Sequence, residues 1–316
     1  MGLKQILKAY LGNSDRFTLP SPSESEMAVI AEARARIRKL PELTDSNNLS
    51  ASDREWLENR KKIRNLILYS DPRIFLRWDI IRHTMFVTEA PFVRRELSDL
   101  RKAGISANDL KEDDIGSPEQ LRKHPYTSAN LVHHRYHIQQ FESVAGHSID
   151  DYSSIVEFGG GYGSLCRLAL RKGFRGRYII FDLPEFNVIQ YIFLTLAGIP
   201  VAMEDSERPM AEESKAVMLF SSPRLLQTYL STAGGPSLLI ATWSLSETSL
   251  DFRSRFLRDA GEFEGYLIAF QKQFNEVDNE QFFHEFAKER PGLNWQSRPC
   301  RYLPENRYLF GGSRPD

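Results

Sequence analysis

Two acidic residues around a run of glycines could bind a charged nucleoside. Glu157 lies near the end of an apolar stretch, and the glycines that follow it are Gly159, Gly160, Gly161 and Gly163. Glycine allows unusual φ angles and close approach of a ligand to the backbone, and the first N–H groups of a following helix would face that ligand. Asp182 follows the next apolar stretch, where a carboxylate can accept both ribose hydroxyls of a nucleoside cofactor.

The glycine spacing distinguishes two cofactors. A dinucleotide fingerprint has its third glycine three positions after the second, but that position here is Ser164. The observed order is G-x-G-x-G, and an acid precedes it at Glu157. This combination resembles motif I of class I methyltransferases, in which the acid helps to hold the methionine end of S-adenosylmethionine. The sequence therefore favours S-adenosylmethionine, and NAD is the weaker alternative.

Asp182 has a structural alternative. It could cap a helix that starts at Pro184, and helix capping is compatible with ribose binding. We expect Asp182 to contact the ribose, with Leu183 beside it in the cofactor pocket.

A wider resemblance joins these motifs. The runs EFGGGYG at 157–163, FDLPE at 181–185 and TWSLSE at 242–247 resemble a bacterial family of sugar O-methyltransferases. Further matching runs are YLIAFQ at 266–271, YLFG at 308–311 and HHRYH at 133–137. The likeness covers roughly 75–316, and residues 1–70 carry little of it. It implies S-adenosylmethionine-dependent methylation of a hydroxyl of a sugar or glycan, in polysaccharide biosynthesis.

A more distant likeness, to plant-type small-molecule O-methyltransferases, differs at the catalytic position. Those enzymes have a histidine three residues after a tryptophan that follows strand four. Counting from Trp243, that position is Ser246, and Glu247 comes next. Their histidine mechanism cannot be transferred unchanged, and a phenolic or other natural-product hydroxyl is the alternative acceptor. A third alternative is a catalytically inactive cofactor-binding scaffold.

Methyl transfer to a hydroxyl needs alignment of the acceptor and removal of its proton. Glu247 is one candidate base, because it follows the predicted strand at 238–242, strand four of the methyltransferase pattern, by a few residues. Alternatively it is an acid in the first turn of the next helix. Thr242 and Trp243 at the end of that strand are expected to border the cofactor, although Trp243 could also be an ordinary buried aromatic residue.

Three histidines provide other candidates. His133 and His137 share a helical face, and His134 points about 100° away. We expect His133 or His134 as an alternative base and His137 near the substrate, with packed histidines as the structural alternative. No H-E-x-x-H motif is present, and the predicted fourth strand lacks clustered acids, so we expect no metal site.

Polar residues beyond other strands complete the candidates. Asp278 and Asn279 could contact sugar hydroxyls, although Asp278 could simply cap the helix that follows. Residues bordering the adenine are either Ser221 and Ser222 or Glu204 and Asp205, and the sequence does not choose between these pairs.

Short apolar runs that alternate with helical patterns predict the parallel sheet that positions these residues. The expected strands are 154–158, 177–182, 200–203, 216–221, 237–242, 265–271, 296–302 and 307–312. The expected helices between them are 163–172, 186–197, 223–232, 249–260 and 279–289. The predicted fold class is α/β, with a Rossmann-like class I methyltransferase sheet behind a mainly helical N-terminal region.

The two regions are expected to have different roles. Residues 1–125 form the helical region, which would act as a lid and select the acceptor, and residues 126–316 bind S-adenosylmethionine. The expected helices in and just after the first region are 25–40, 52–69, 73–86, 90–103 and 128–145.

Composition limits the partners. The 316 residues include 41 basic and 42 acidic side chains, so the chain lacks the basic footprint of a nucleic-acid binder, and a small-molecule or glycan acceptor fits better. Its two cysteines suggest neither a metal cluster nor a disulfide scaffold. Without a secretion signal or an apolar run of membrane-spanning length, we expect a cytoplasmic protein with no membrane span. Dimerisation through the helical region is a further expectation.

Overall fold

The computed structural model describes most of the chain, namely residues 19–44, 51–85, 87–204, 217–232 and 234–312. Asp205, one of the adenine candidates, lies outside these ranges, as do residues 86 and 216 at the ends of predicted elements. None of the helices within them is long and apolar enough to cross a membrane.

Helices make up most of the described N-terminal region. Their bounds are α1 Glu24–Lys39, α2 Ala51–Tyr69, α3 Asp79–Thr84 and α4 Pro91–Lys102. Helix α1 begins with a capping box, in which the Ser23 hydroxyl accepts the Glu26 N–H at 3.2 Å and the Glu26 carboxylate accepts the Ser23 N–H at 2.7 Å. Helix α4 starts at Pro91, a residue suited to the first turn of a helix.

The single helix predicted over 73–86 is divided at Trp78. Residues Pro72–Arg77 form 3₁₀ turns, and α3 begins only at Asp79. The Leu76 N–H donates to the Gly116 carbonyl at 3.1 Å, and Trp78 is extended with φ −65° and ψ 133°. Helical periodicity alone missed this break, because a contact with a distant loop replaces the local hydrogen bonding.

A short hairpin interrupts the helices in the region predicted as mostly helical. Strands β1 Gln120–Leu121 and β2 His124–Ser128 pair antiparallel. Their sequence carries no alternation of apolar and polar residues that would have indicated strands. Helix α5 Ala129–Ala145 follows directly, with the Ser128 hydroxyl accepting the Leu131 N–H at 3.1 Å, close to the predicted bounds of 128–145.

The C-terminal part alternates strands and helices as predicted. Its strands are β3 Ser154–Phe158, β4 Arg177–Phe181, β5 Val201–Met203, β6 Val217–Phe220, β7 Ser237–Thr242, β8 Gly265–Gln271, β9 Gln273–Phe274, β10 Val277–Asp278, β11 Asn294–Pro299 and β12 Asn306–Gly312. Its helices are α6 Ser164–Lys172, α7 Pro184–Leu196, α8 Pro223–Leu230, α9 Leu250–Asp259 and α10 Asn279–Lys288. Strand β11 begins two residues before the predicted 296, and the small β9–β10 hairpin was not predicted.

Within the described residues, eight of these strands form one sheet in the order β11-β12-β8-β7-β3-β4-β6-β5. Neighbours from β8 to β5 pair parallel, and β12 runs antiparallel to both β8 and β11. The predicted fold class, a Rossmann-like α/β sheet behind a mainly helical N-terminal region, is confirmed.

Side chains alternate between two cores, one on each face of the sheet. Ile155 packs on the face that contacts α6 and α7, and Val156 packs on the face that contacts α8 and α9. Burial on both faces explains the continuous apolar runs that identified the strands.

The topology fixes where a ligand can bind. From the central strand β3 the chain continues to β4 on one side and reaches β7 on the other, so the strand order reverses beside β3. Open α/β sheets bind ligands outside the carboxyl ends of strands at such a reversal.

Candidate functional site

A cavity of about 820 Å³ lies at the carboxyl ends of the parallel strands. Its lining includes most of the sequence candidates, namely His133, His134, Glu157, Gly159, Gly160, Gly161, Asp182, Leu183, Ser221, Thr242, Trp243 and Glu247. The remaining described candidates, Gly163, His137, Glu204, Ser222, Asp278 and Asn279, are not among the lining residues. The fold therefore gathers residues that are far apart in sequence around one space.

The glycine turn fits tightly between neighbouring strands. Gly159 has φ +73°, and a Cβ on it would lie 2.2 Å from the Ser244 hydroxyl oxygen. A Cβ on Gly160 would lie 2.6 Å from a methyl carbon of Ile180. Larger residues would therefore clash, so the turn needs glycine for packing as well as for close approach of a ligand.

Glu157 lies beneath this turn and is almost completely buried, with 3% of its surface exposed. One of its carboxylate oxygens lies 3.3 Å from the position a Cβ on Gly160 would occupy. The Tyr178 hydroxyl donates to the same oxygen at 2.9 Å. Burial raises the pKa of Glu157 to about 8, and nearby Asp182 adds to the effect.

Asp182 lies at the end of β4, where Gln190 connects it to the glycine turn. Its carboxylate accepts the Leu183 N–H and the Gln190 side-chain amide, both at 2.8 Å. The same amide donates to the Gly161 carbonyl at 3.0 Å. Burial raises the pKa of Asp182 to about 7, although these hydrogen bonds oppose the shift. Leu183, not Asp182, is the N-cap residue of α7.

Trp243 forms a wall of the cavity in a strained backbone conformation. Its φ of +67° is unusual for a residue with a side chain, and such strain is found preferentially at functional sites. The indole N–H donates to the Asn306 side-chain oxygen at 2.6 Å. The ring stacks on His133, with centroids 5.2 Å apart and planes inclined by 28°.

The three histidines on α5 have different surroundings. The predicted shared face of His133 and His137 brings their ring centroids within 4.2 Å. His133 Nδ1 lies 2.9 and 3.0 Å from the two carboxylate oxygens of Glu96, a residue that no sequence motif identified. His137 is fully buried, and its Nδ1 lies 2.7 Å from the Tyr308 hydroxyl. Burial lowers the pKa of His134 to about 3.

Glu247 lines the same cavity from the turn after β7. It ends the 3₁₀ turn Ser244–Glu247, before α9 begins, and so does not lie in the first turn of α9. The Gln271 amide donates to its carboxylate at 2.9 Å, and the Ser246 hydroxyl donates to the Gln271 oxygen at 2.7 Å. Burial raises the pKa of Glu247.

Asp278 and Asn279 have structural roles away from the cavity. The Asp278 side chain accepts the Gln281 N–H at 2.9 Å as the N-cap of α10. The buried Asn279 accepts from Arg253 at 2.8 Å and donates to the Gln271 carbonyl at 2.9 Å. The side-chain groups of Asp278 and Asn279 that were predicted to contact a substrate thus form hydrogen bonds within the protein.

On the adenine side, Ser221 lines the cavity and Glu204 organises the loop around it. The Glu204 carboxylate accepts the N–H groups of Ser221 and Ser222 at 3.0 and 2.9 Å, and it also accepts the Ser221 hydroxyl. The two alternative sets of adenine candidates are therefore joined by hydrogen bonds between Glu204 and the two serines.

Other lining residues could not be read from the motifs. The N-terminal region contributes Asp53, Trp56, His83, Thr84, Met85, Val87 and Phe92, and the C-terminal part adds Asn130, Gln271, Leu303 and Asn306. Within the ranges that the structure describes, no group of three or more His, Cys, Asp or Glu side chains is arranged to hold a metal ion.

Comparisons with known proteins find distant likenesses among solved structures. No protein-family model matches the chain. No curated protein matches it. Among solved structures, the mitomycin 7-O-methyltransferase MmcR is similar at 15% identity and a TM-score of 0.37, covering 98% of this chain and 97% of that one.

Two further structures contain S-adenosylhomocysteine. The glycopeptide N-methyltransferase MtfA has 11% identity and a TM-score of 0.36 over 56% of this chain and 88% of that one. The Podospora anserina methyltransferase PaMTH1 has 9% identity and a TM-score of 0.38 over 87% and 100% of the two chains. These values are too low to transfer a function, so any assignment rests on the cavity itself.

Proposed function

We propose that this chain is an S-adenosylmethionine-dependent methyltransferase that binds its cofactor at the carboxyl ends of β3 and β4. The position of Glu157 carries the proposal. Its carboxyl group lies beneath Gly160, where a dinucleotide would place its pyrophosphate. An anionic pyrophosphate would further oppose ionisation of this acid, whose pKa burial already raises to about 8, and would gain no attraction from it. The ammonium group of a methionine moiety would instead favour the ionised carboxylate and be attracted to it.

The other polar groups fit the nucleoside part of the same cofactor. Asp182 presents a carboxylate, oriented by Gln190 and the Leu183 N–H, to the two ribose hydroxyls. Ser221 borders the adenine, and Glu204 fixes the loop that carries it. The glycine turn allows the ligand to lie against the backbone.

The expected reaction is transfer of a methyl group to a hydroxyl. S-adenosylmethionine, when bound, supplies an electrophilic methyl group on a positively charged sulfur. The protein must hold the hydroxyl in line with that methyl group and accept its proton, two effects that together account for large rate factors. Trp243 and Phe92 provide walls for positioning, and His133 and Glu247 are the candidate bases.

The lining favours a saccharide as the acceptor. It combines aromatic faces, from Trp56, Phe92 and Trp243, with the polar side chains of Glu247, Arg255 and Asn306. Sugar rings can pack their C–H faces on aromatic rings while their hydroxyls bond to amides and carboxylates. Because α2, α4 and the segment around Met85 contribute to the lining, the N-terminal region, residues 1–125, would select the acceptor.

The first test is calorimetric titration, which measures which cofactor the protein binds. Wild-type protein should bind S-adenosylmethionine and S-adenosylhomocysteine, and NAD should not compete. Asp182→Asn should weaken binding by about tenfold, the loss of one or two charge-assisted hydrogen bonds. Asp278→Asn is the matched control, because Asp278 caps a helix away from the cavity. Preference for NAD, or equal loss in both variants, would contradict the assignment.

Transfer assays then identify the acceptor. Protein that binds the cofactor is incubated with methyl-labelled S-adenosylmethionine and either nucleotide sugars and glycans or a panel of phenols. We expect label in the saccharide set. Label confined to phenols would favour a natural-product O-methyltransferase, and cofactor binding without any transfer would favour a non-catalytic scaffold.

A further inference from the structure

A buried acid and a histidine connect the N-terminal helices with the cavity. Glu96 on α4 is 2% exposed, and its two carboxylate oxygens lie 2.9 and 3.0 Å from His133 Nδ1. His133 lines the cavity and stacks on Trp243. Glu96 therefore bonds to the Nδ1 side of an imidazole ring that lines the cavity.

This contact constrains the proton on the ring. An ionised carboxylate has only acceptor oxygens, so a neutral His133 beside it must carry its proton on Nδ1. Nε2 then keeps its lone pair, which is the group a general base needs. A protonated Glu96, by contrast, would donate to Nδ1 and place the proton of the neutral ring on Nε2.

We propose that Glu96 is a positioning residue, which holds His133 in the Nδ1–H tautomer so that Nε2 accepts the acceptor's hydroxyl proton. The role rests on the proposed methyl transfer. In that step the hydroxyl oxygen forms a bond to the methyl carbon, and the methyl–sulfur bond breaks with its electron pair remaining on sulfur. The proton passes to Nε2, and Glu96 balances the charge of the resulting imidazolium.

The neighbouring histidines do not offer the same arrangement. His137 is fully buried and pairs its Nδ1 with the Tyr308 hydroxyl, so it supports the wall behind Trp243. His134 lines the cavity, but burial lowers its pKa to about 3, which makes it a weak base at neutral pH. Within the described residues, the carboxylate faces His133 alone among the three.

Other titratable groups surround the pair and affect the charge on Glu96. Asp99 on the same helix acts against its ionisation, as does burial, whereas the bond from His133 favours it. The side chains of Tyr136, Tyr308 and Cys300 also feel the charge of Glu96. Direct observation of the His133 ring is therefore a cleaner test than the pH dependence of a rate.

Nitrogen-15 NMR of histidine-labelled protein observes the tautomer without needing an acceptor. Spectra are recorded at neutral pH, with and without S-adenosylhomocysteine, and His133→Asn identifies the His133 signals. In wild-type protein the Nδ1–H form of His133 should exceed the Nε2–H form by about tenfold or more, as expected for a hydrogen bond to a charged group. Excess of the Nε2–H form would overturn the proposal, whatever any variant does.

Glu96→Leu then removes the acceptor while keeping a side chain of similar size. The Nδ1–H excess of His133 should be lost, because no oxygen remains for that proton. Glu112→Gln is the control, since Glu112 is also a buried acid of the N-terminal region but bonds to Arg167 and Ser128. It should leave the tautomer unchanged. An unaltered tautomer in Glu96→Leu, or the same change in both variants, would overturn the role of Glu96.

The measurements with S-adenosylhomocysteine distinguish a failure of this proposal from a failure of the proposed function. If S-adenosylhomocysteine fails to bind although Glu96 controls the tautomer, the methyl-transfer assignment fails and the base role fails with it. If the ligand binds but the tautomer is independent of Glu96, the pair has no positioning role and the cofactor assignment stands.

Discussion

At the scale of single residues, the most consequential group is a buried acid that is held neutral although its proposed ligand is a cation. Glu157 has a pKa raised to about 8, so the free protein holds it mostly protonated at neutral pH. Ionising it in this environment costs free energy, since burial penalises the charged form. A cationic ligand placed beside it would reverse that preference.

Cofactor binding should therefore release a proton. At pH 7 we expect about one proton released per S-adenosylhomocysteine bound, and affinity should rise by about tenfold between pH 6 and pH 7, because the ionised form of Glu157 binds the ammonium group. Calorimetry in buffers with different ionisation enthalpies measures the proton count. Glu157→Gln should bind more weakly and show a flatter pH dependence; unchanged proton release in that variant would assign the linkage to another group.

The sequence identified residues that form local motifs and missed those that act through distant contacts. Glu157, the glycines and Asp182 stand at fixed positions around two strands, so their common location followed from the fold. Glu96 precedes His133 by 37 positions and meets it only because α4 packs against α5. No spacing rule predicts such a pair, and the same holds for Gln190 between Asp182 and Gly161.

At the scale of elements, the β3–α6 turn depends on a close contact with the turn after β7. Gly159→Ala should both strain the backbone at φ +73° and displace Ser244, whose hydroxyl donates to the Gly159 carbonyl at 3.2 Å. We expect a loss in unfolding free energy that exceeds the loss in Gly104→Ala by about 1–3 kcal/mol, the usual cost of overpacking.

The control separates the two costs. Gly104 has φ +80° but no heavy atom within 4 Å of an added Cβ, so Gly104→Ala measures the backbone strain alone. Urea denaturation gives both values, and titration with S-adenosylhomocysteine should show weaker binding only in Gly159→Ala. Equal losses of stability in the two variants would mean that the Ser244 contact carries no cost.

A second element-level feature ties helix α2 to the start of α7. Glu185 is fully buried and lies 2.7 Å from Arg60 and 2.6 Å from Arg64. The same helix carries Trp56, whose ring packs edge-on against Phe186 with centroids 5.8 Å apart. The ion pairs therefore hold part of the cavity wall in place.

Glu185→Gln should lower the unfolding free energy by about 2 kcal/mol. The value is below the 3–5 kcal/mol typical of a broken buried pair, since both arginines are partly exposed and can contact water. Glu58→Gln on the same helix removes an exposed pair with Lys61 and should cost about 0.5 kcal/mol or less. Denaturation midpoints compare the two; equal effects would show that the buried position adds nothing.

The elements themselves were predicted unevenly, for a physical reason. Strands buried on both faces have continuous apolar runs, and helices between them have periodic ones, so the sheet could be read from the sequence. The β1–β2 hairpin is short and polar, and the break at Trp78 depends on a bond from Leu76 to Gly116. Such features arise from tertiary contacts that local patterns do not contain.

At the scale of the whole molecule, the buried titratable groups of the cavity make the free energy of unfolding depend on pH. Glu157 and Asp182 hold protons more tightly in the folded chain than in the unfolded chain, with pKa values raised to about 8 and about 7. Groups of this kind stabilise the fold at low pH, and the contribution is lost as the pH rises through the folded pKa. The histidines act in the opposite sense, since burial lowers the pKa values of His134 and His137, and the unfolded chain binds their protons below about pH 6.5.

The two effects offset each other at mildly acidic pH, so they predict a stability maximum at about pH 5–6 in the absence of ligand. Below it, protonation of the unfolded histidines favours unfolding; between pH 7 and pH 8 the carboxyls dominate, and the unfolding free energy should fall by about 1 kcal/mol. Urea denaturation at closely spaced pH values measures the curve. Glu157→Gln should remove most of the fall above pH 7, and saturating S-adenosylhomocysteine should do the same, because the bound ligand keeps Glu157 ionised in the folded chain. A wild-type curve that stays level from pH 7 to pH 8 would mean that the cavity does not hold these two protons.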